Sequence, residues 1–117
     1  MLALPGVTPG RSGVSVPQTR ALHLDPTFAL GPRTAFMAGY EFAHLHGASD
    51  GSLHAHLPGE VADEAIQAGW AELHPLARRG ILPSNTVMIY GPRDDAELET
   101  VWGLVKTSYN FARGTHI

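Results

Sequence analysis

The stretch EFAHLHGASDGSLHAHL, residues 41–57, constrains this chain more than any other. Two runs in which apolar and imidazole side chains alternate flank GASDG, a cluster of turn formers at 47–51. Period-two alternation on both sides of such a cluster marks a β-hairpin. With the cluster as the connection, position 46 pairs with 52, 44 with 54 and 42 with 56. Directly opposed side chains share a sheet face, with Cβ atoms about 4.5–5.5 Å apart. Phe42, His44, His46, Ser52, His54 and His56 therefore share one side. Glu41, Ala43, Leu45, Leu53, Ala55 and Leu57 take the reverse side against the core, where Glu41 becomes an inward charge in need of a partner.

The rest of the chain supplies the layer that covers the apolar side. Residues 1–13 carry Pro5, Pro9, Gly6, Gly10 and Gly13 among few apolar anchors and read as a flexible arm, leaving 14–117 as a single domain. GVSVPQTRALHLDP reads as extended chain broken at Pro17, and Thr34 to His46 as a long strand with Gly39 at a bulge. Val61, Ala65, Ile66, Gly69, Trp70 and Leu73 recur at helical intervals, giving an amphipathic helix ended by His74 and Pro75. TVMIY, residues 86–90, has the β-branched and apolar character of a central strand.

A second helix begins at Asp94 as N-cap, with Glu97 three residues on. It carries the stripe Leu98, Val101, Trp102, Val105, Tyr109 and Ala112 and stops at Gly114. The predicted class is α+β, a mainly antiparallel β-sheet with two helices packed on one face. The opposite face is left for a ligand.

Composition removes several functions. The net charge of -3 comes without any run of Lys or Arg, so neither nucleic acid nor an anionic membrane is an expected partner. No cysteine is present, which excludes disulfides, thiolate metal ligands and cysteine nucleophiles. The amino end lacks a cationic start and an apolar h-region, and no stretch reaches the roughly 20 apolar residues of a membrane span. A soluble, cytoplasmic protein is the expectation. A homodimer that covers an exposed strand edge fits such a sheet.

Three readings of the histidine hairpin stand side by side. It can be the polar, solvated face of an antiparallel sheet. It can bind a divalent metal, since imidazoles on adjacent strands supply ligands and leave a position open; the ligands would be His44, His46, His54 and His74. The H-x-H of cupins matches poorly, because Asp50 stands where their glutamate is expected and two long helices follow. The third reading is acid–base chemistry, in which one neutral imidazole takes a proton while a neighbour donates to a developing oxyanion. No nucleophile elbow, G-x-G-x-x-G or P-loop is present, so hydrolase and nucleotide functions lack support.

The segments EFAHLH, SLHAHL, GWAELHPLA and MIYGPRDDAELETVWGLVKTSYNFA resemble, in order and spacing, the luciferase domain of bioluminescent fungi and its short bacterial relatives, from about Tyr40 to Arg113. The resemblance implies an enzyme that uses molecular oxygen without flavin, ATP or an established metal. The fungal substrate is a hydroxylated hispidin, a styryl-pyrone whose enol loses its proton, adds oxygen and passes through a high-energy peroxide. The matching positions are Glu41, His44, His46, His54, Trp70, His74, Tyr90, Pro92 and Arg93, whereas His56 falls outside the pattern.

Together these readings predict an oxygenase acting on an enolisable aromatic or pyrone-type small molecule, with no cofactor beyond molecular oxygen; the alternative is a His-ligated metal enzyme or a non-catalytic small-molecule-binding domain. His44, His46, His54 and His74 are the candidate catalytic residues; Arg93, Tyr90, Trp70 and Glu41 are the candidate substrate-binding residues. Arg93, beside the amino end of the last helix, suits a carboxylate or enolate and reads equally as a solvated charge of the cap region. Trp70 lies on an apolar stripe and reads equally as core. Asp94 and Glu97 read as capping groups, and His23 and His116 as surface residues.

Overall fold

The computed structural model describes residues 4–11, 20–37, 39–45 and 52–114. The turn 47–51 and His46 lie outside the described residues, as do 12–19 with Pro17. Among the described residues, six strands form one sheet in the order β1-β2-β3-β4-β6-β5, and all neighbours are antiparallel. The strands are β1 Val7–Arg11, β2 Arg20–Leu24, β3 Glu41–Leu45, β4 Leu53–His56, β5 Ala71–Leu73 and β6 Thr86–Ile89. Helices α1 Gly59–Gln67 and α3 Asp95–Arg113 cover one face, and a single turn of helix, α2 Pro75–Arg78, follows β5. The fold is α+β, as the hydrophobic pattern predicts.

The covered face carries the core. Leu22, Ala43, Leu53, Ala55, Ala71, Val87 and Ile89 of the sheet meet Ala62 and Ala65 of α1 and Val101, Val105, Tyr109 and Ala112 of α3. Leu98, expected on the α3 stripe, is exposed, and Ser108 takes a place in the buried seam. Its hydroxyl donates to the backbone oxygen of His56 at 2.7 Å, which ties α3 to β4. No helix among the described residues is long and apolar enough to cross a membrane.

Several sequence expectations need correction. Residues 7–11, expected within a flexible arm, form the edge strand β1 against β2. Backbone pairing needs no apolar anchors, and Pro9 is tolerated because an edge strand has one side free of ladder bonds. The Tyr109 hydroxyl, donating to the Pro5 oxygen at 2.6 Å, fastens this segment to α3.

The first long helix ends at Gln67 and does not reach Leu73. Gly69 adopts φ +85°, and the N–H groups of Trp70 and Gly69 bond the carbonyls of Ala65 and Ile66. That is a Schellman stop, whose left-handed position favours glycine. Beyond it, Ala71 and Leu73 turn inward as a strand, so the helical spacing of Trp70 and Leu73 is coincidental.

Residues 34–46 are not one long strand. A 3-10 turn occupies Arg33–Ala35, Gly39 sits in a turn with φ +56°, and β3 begins only at Glu41. The irregularity assigned to Gly39 falls instead at Phe42. On β2, Leu22 faces Ala43 and His23 faces Glu41, leaving Phe42 as the extra residue of a bulge. Phe42 and Ala43 both enter the core, Phe42 with its ring 6.1 Å from that of Tyr109. The side-chain alternation therefore slips by one, and Glu41 joins the imidazole face instead of pointing toward the helices.

The loop before β3 is clamped to the last helix by close backbone approach. Gly31 N–H donates to the Ala112 oxygen at 2.8 Å, and a Cβ on Gly31 would overlap the Phe111 carbonyl oxygen. Gly31→Ala should cost about 1–3 kcal/mol through forced backbone separation. Thermal unfolding of the variant should show a drop of several degrees; an unchanged midpoint would mean that loop and helix do not touch.

Candidate active site

The hairpin pairs in the predicted register, with His44 opposite His54 and with Ala43 and Leu45 opposite Ala55 and Leu53. On the uncovered face this places the two rings with centroids 4.7 Å apart, and Nε2 of His44 lies 3.0 Å from Nδ1 of His54. Behind them, Glu41 Oε2 lies 3.0 Å from His44 Nδ1. Glu41 has no exposure and His44 only 4%, whereas His54 is half-buried. The three side chains form a line from the interior to the edge of a cavity.

A tautomer assignment follows from this line. An ionised carboxylate only accepts, so His44 donates from Nδ1. In its neutral form His44 then has its lone pair on Nε2 and accepts from His54 Nδ1–H. The lone pair of His54 is thereby assigned to its own Nε2.

His74 completes the imidazole group, but not from a helix end as expected. It sits between β5 and α2, its N–H bonded to the Thr86 oxygen at 3.0 Å and its ring edge-on to His54 with centroids 4.8 Å apart. Its Nδ1 accepts from Leu76 N–H at 3.0 Å, so the proton of the neutral ring lies on Nε2. His54 and His74 thus stand side by side in opposite senses, one assigned as acceptor and the other as donor at Nε2.

His56, which the family resemblance leaves out, also lines this cavity. The alternation of the hairpin alone had placed it there. Its Nδ1 donates to the Thr34 oxygen at 2.7 Å, and its Nε2 lies 3.2 Å from Thr86 Oγ1. Burial lowers its pKa from the ordinary histidine value, against the opposing pull of the Thr34 carbonyl bond. The ring is a neutral, hydrogen-bonded wall. Thr86 and the Thr34 carbonyl carried no sequence signal, because neither the β4–β6 register nor the 3-10 turn is written in local spacing.

The four rings and Thr86, with Met37, Leu76 and Leu82, line a cavity of about 250 Å³. Imidazoles and a hydroxyl combine there with apolar side chains, the usual make-up of a small-molecule site. Among the described residues, no group of three or more His, Asp or Glu is arranged to hold a metal ion. His46, a member of the expected catalytic and ligand sets, lies outside the described residues.

The expected substrate-binding residues do not join this cavity. Trp70, Tyr90 and Arg93 line a different one, of about 500 Å³, with Glu97 and Val101. The topology explains the separation. Thr86 begins β6 beside His74, whereas Tyr90 follows its other end and donates its N–H to Trp70 O. Four residues of strand separate the two ends, about 13 Å at 3.3 Å per residue.

Arg93 is also paired, though its side chain is exposed. Its Nη2 and Nε bond the Glu97 carboxylate at 2.7 and 3.1 Å, and its backbone N–H bonds Glu97 Oε1 at 2.9 Å. That pairing raises the Arg93 pKa and lowers that of Glu97. Asp94 caps α3 through Glu97 N–H, as expected. Glu41, also expected at the substrate, is instead shielded behind His44.

Residues 39–108 match the family described as Luciferase domain. The chain belongs to the luciferase-domain family. Within it, the domain is 34% identical over 73 residues to the luciferases of Armillaria gallica and Armillaria mellea, and 33% identical to that of Neonothopanus nambi. Each match covers 61% of this chain and 27% of the relative, so the domain corresponds to only about a quarter of those proteins. No solved structure matches it. The shared region spans β3 through most of α3 and thus contains Glu41, all four imidazoles of the cavity and the separate Trp70–Tyr90–Arg93 group.

Proposed function

We infer that this luciferase domain is a cofactor-independent oxygenase whose substrate is an enolisable aromatic or pyrone-type small molecule bound among His44, His54, His56 and His74. The observation that carries the reading is the Glu41–His44–His54 line, buried at Glu41 and His44 and ending beside a donor imidazole. His54 Nε2 takes the enol proton. The imidazolium charge that develops is stabilised through His44 by the Glu41 carboxylate, in the manner of a carboxylate behind a catalytic histidine. His74 Nε2–H donates to the enolate oxygen, holding charge where it forms.

The electron-rich enolate carbon then forms a bond to molecular oxygen. Carbon is oxidised, the dioxygen unit is reduced to the peroxide level, and the proton held on His54 returns to the distal peroxide oxygen. Substrate and oxygen thus sum to a hydroperoxide, with no external reductant. The oxygen chemistry implied by the family resemblance supports this step, and the small apolar wall of Met37, Leu76 and Leu82 favours a planar ring.

The test is oxygen uptake by the purified, tag-free domain with a 4-hydroxy-2-pyranone, with and without a strong chelator. One oxygen consumed per ring converted, unaffected by chelation, is the expected result. Loss of turnover on metal removal would replace this reading with a metal enzyme. Recovery of the ring unchanged would make the domain a binding module.

A further inference from the structure

Met37 shares the apolar lining of the histidine cavity with Leu76 and Leu82 and differs from both in chemistry. The lone pair of a thioether takes an oxygen atom from a peroxide and becomes a sulfoxide, which a leucine cannot do. The chain has three methionines and no cysteine, so thioethers are its only sulfur. Among the described residues, Met37 is the one methionine that lines this cavity.

The fold holds Met37 there. Its backbone N–H donates to the Glu41 oxygen at 2.7 Å, which fastens it to the start of β3. The turn before it is tied to β4 and β6, because His56 Nδ1 and Asn85 Nδ2 both donate to the Thr34 oxygen, at 2.7 and 2.8 Å. Met88 supplies the contrast. It pairs with His54 across β4 and β6 and is half-buried like Met37, yet it does not line the cavity.

The imidazoles offer what a peroxide needs. A hydroperoxide donates from its distal hydroxyl and accepts at its proximal oxygen, and His54 and His74 present an acceptor and a donor Nε2 side by side. In a space of about 250 Å³, a peroxide held by that pair has the thioether as a near neighbour. The flexible, unbranched methionine side chain adapts readily to such a ligand.

Building on the reading of the cavity above, we propose that Met37 is the oxygen-atom acceptor for a peroxide held between His54 and His74, a modification that limits the working life of the site. The sulfur lone pair attacks the distal oxygen, and the O–O bond breaks toward the proximal one. His54 Nε2 takes the proton of the distal hydroxyl and returns it to the proximal oxygen, whose developing charge His74 Nε2–H stabilises. The thioether is oxidised to the sulfoxide and the hydroperoxide is reduced to the alcohol, so no other reductant is needed. Hydrogen peroxide reacts in the same way and leaves as water. The product is a polar sulfoxide in an apolar lining, which spoils the seat of a planar ring.

The test treats the full chain with dilute hydrogen peroxide in the presence of a chelator and follows sulfoxide at each methionine by peptide mass spectrometry. Met37 should oxidise about tenfold faster than Met88, a modest share of what a positioned general base contributes. Unfolding the chain in urea should bring the two rates level, and His54→Gln should bring Met37 down to the Met88 rate. During turnover of 4-hydroxy-2-pyranone, Met37 sulfoxide should accumulate in step with the loss of rate. Met37→Leu, compared with its own initial rate, should then keep working through more turnovers.

Equal oxidation of Met37 and Met88 in the folded chain overturns the proposal, as does a Met37 preference that survives His54→Gln. Sustained turnover with Met37 intact overturns it too. If the pyranone is not turned over at all, the oxygenase reading falls, and the hydrogen peroxide comparison decides the role of Met37 by itself.

Discussion

Replacing His54 by alanine should lower the rate of oxygen uptake about 10²- to 10⁴-fold, the usual contribution of a positioned general base. His54 is the half-buried member of the line, next to His74 and the cavity, so its ring is the group positioned to meet a ligand. It is also the site where the fold has least to lose, because the ring is not part of the core. The thermal midpoint should therefore move little while the rate collapses. His54→Gln, which keeps hydrogen-bonding capacity without a titratable lone pair, should be as inactive as the alanine variant. A glutamine variant with near-native turnover would show that the ring only shapes the pocket, and proton removal would have to be reassigned.

At Glu41 the two expected effects separate. Glu41→Ala removes the acid from a pair in which Glu41 has 0% exposure and His44 only 4%. Removing one partner of a buried hydrogen bond costs about 1–3 kcal/mol, an appreciable part of the total stability of a small domain. Chemical denaturation should show the loss directly. Glu41→Gln is the sharper probe of function. The amide oxygen can still accept from His44, so the fold should survive, but the negative charge that offsets imidazolium formation is gone.

Turnover of Glu41→Gln should fall about 10²-fold or more, with KM nearly unchanged, because Glu41 acts through His44 and not on the ligand. A glutamine variant with wild-type kcat would reduce Glu41 to a structural buttress.

Much of this site was legible in residues 41–57. Alternation around GASDG fixes the pairing of His44 with His54, because side chains repeat every two residues and a slip by one would bury every imidazole. The same pattern put His56 beside them, and the wall position it occupies agrees with that local rule even though the family pattern omits it. The helix 95–113 was equally plain, with Asp94 to start it and Gly114 to stop it.

What local pattern misjudged depends on contacts between segments distant in sequence. The bulge at Phe42 exists because β2 and the Tyr109 ring together make room for one extra residue, and only that slip turns Glu41 from the core toward His44. Trp70 and Leu73 fit a helical period as well as a strand; the Schellman stop at Gly69 and pairing with β6 decided between them. That pairing puts Trp70 beside Tyr90 at one end of β6 and His74 beside Thr86 at the other. The sequence thus specifies which side chains can share a face, since periodicity is a property of the backbone. Which groups meet in one cavity is decided by strand order and register, because those depend on the packing of the whole sheet.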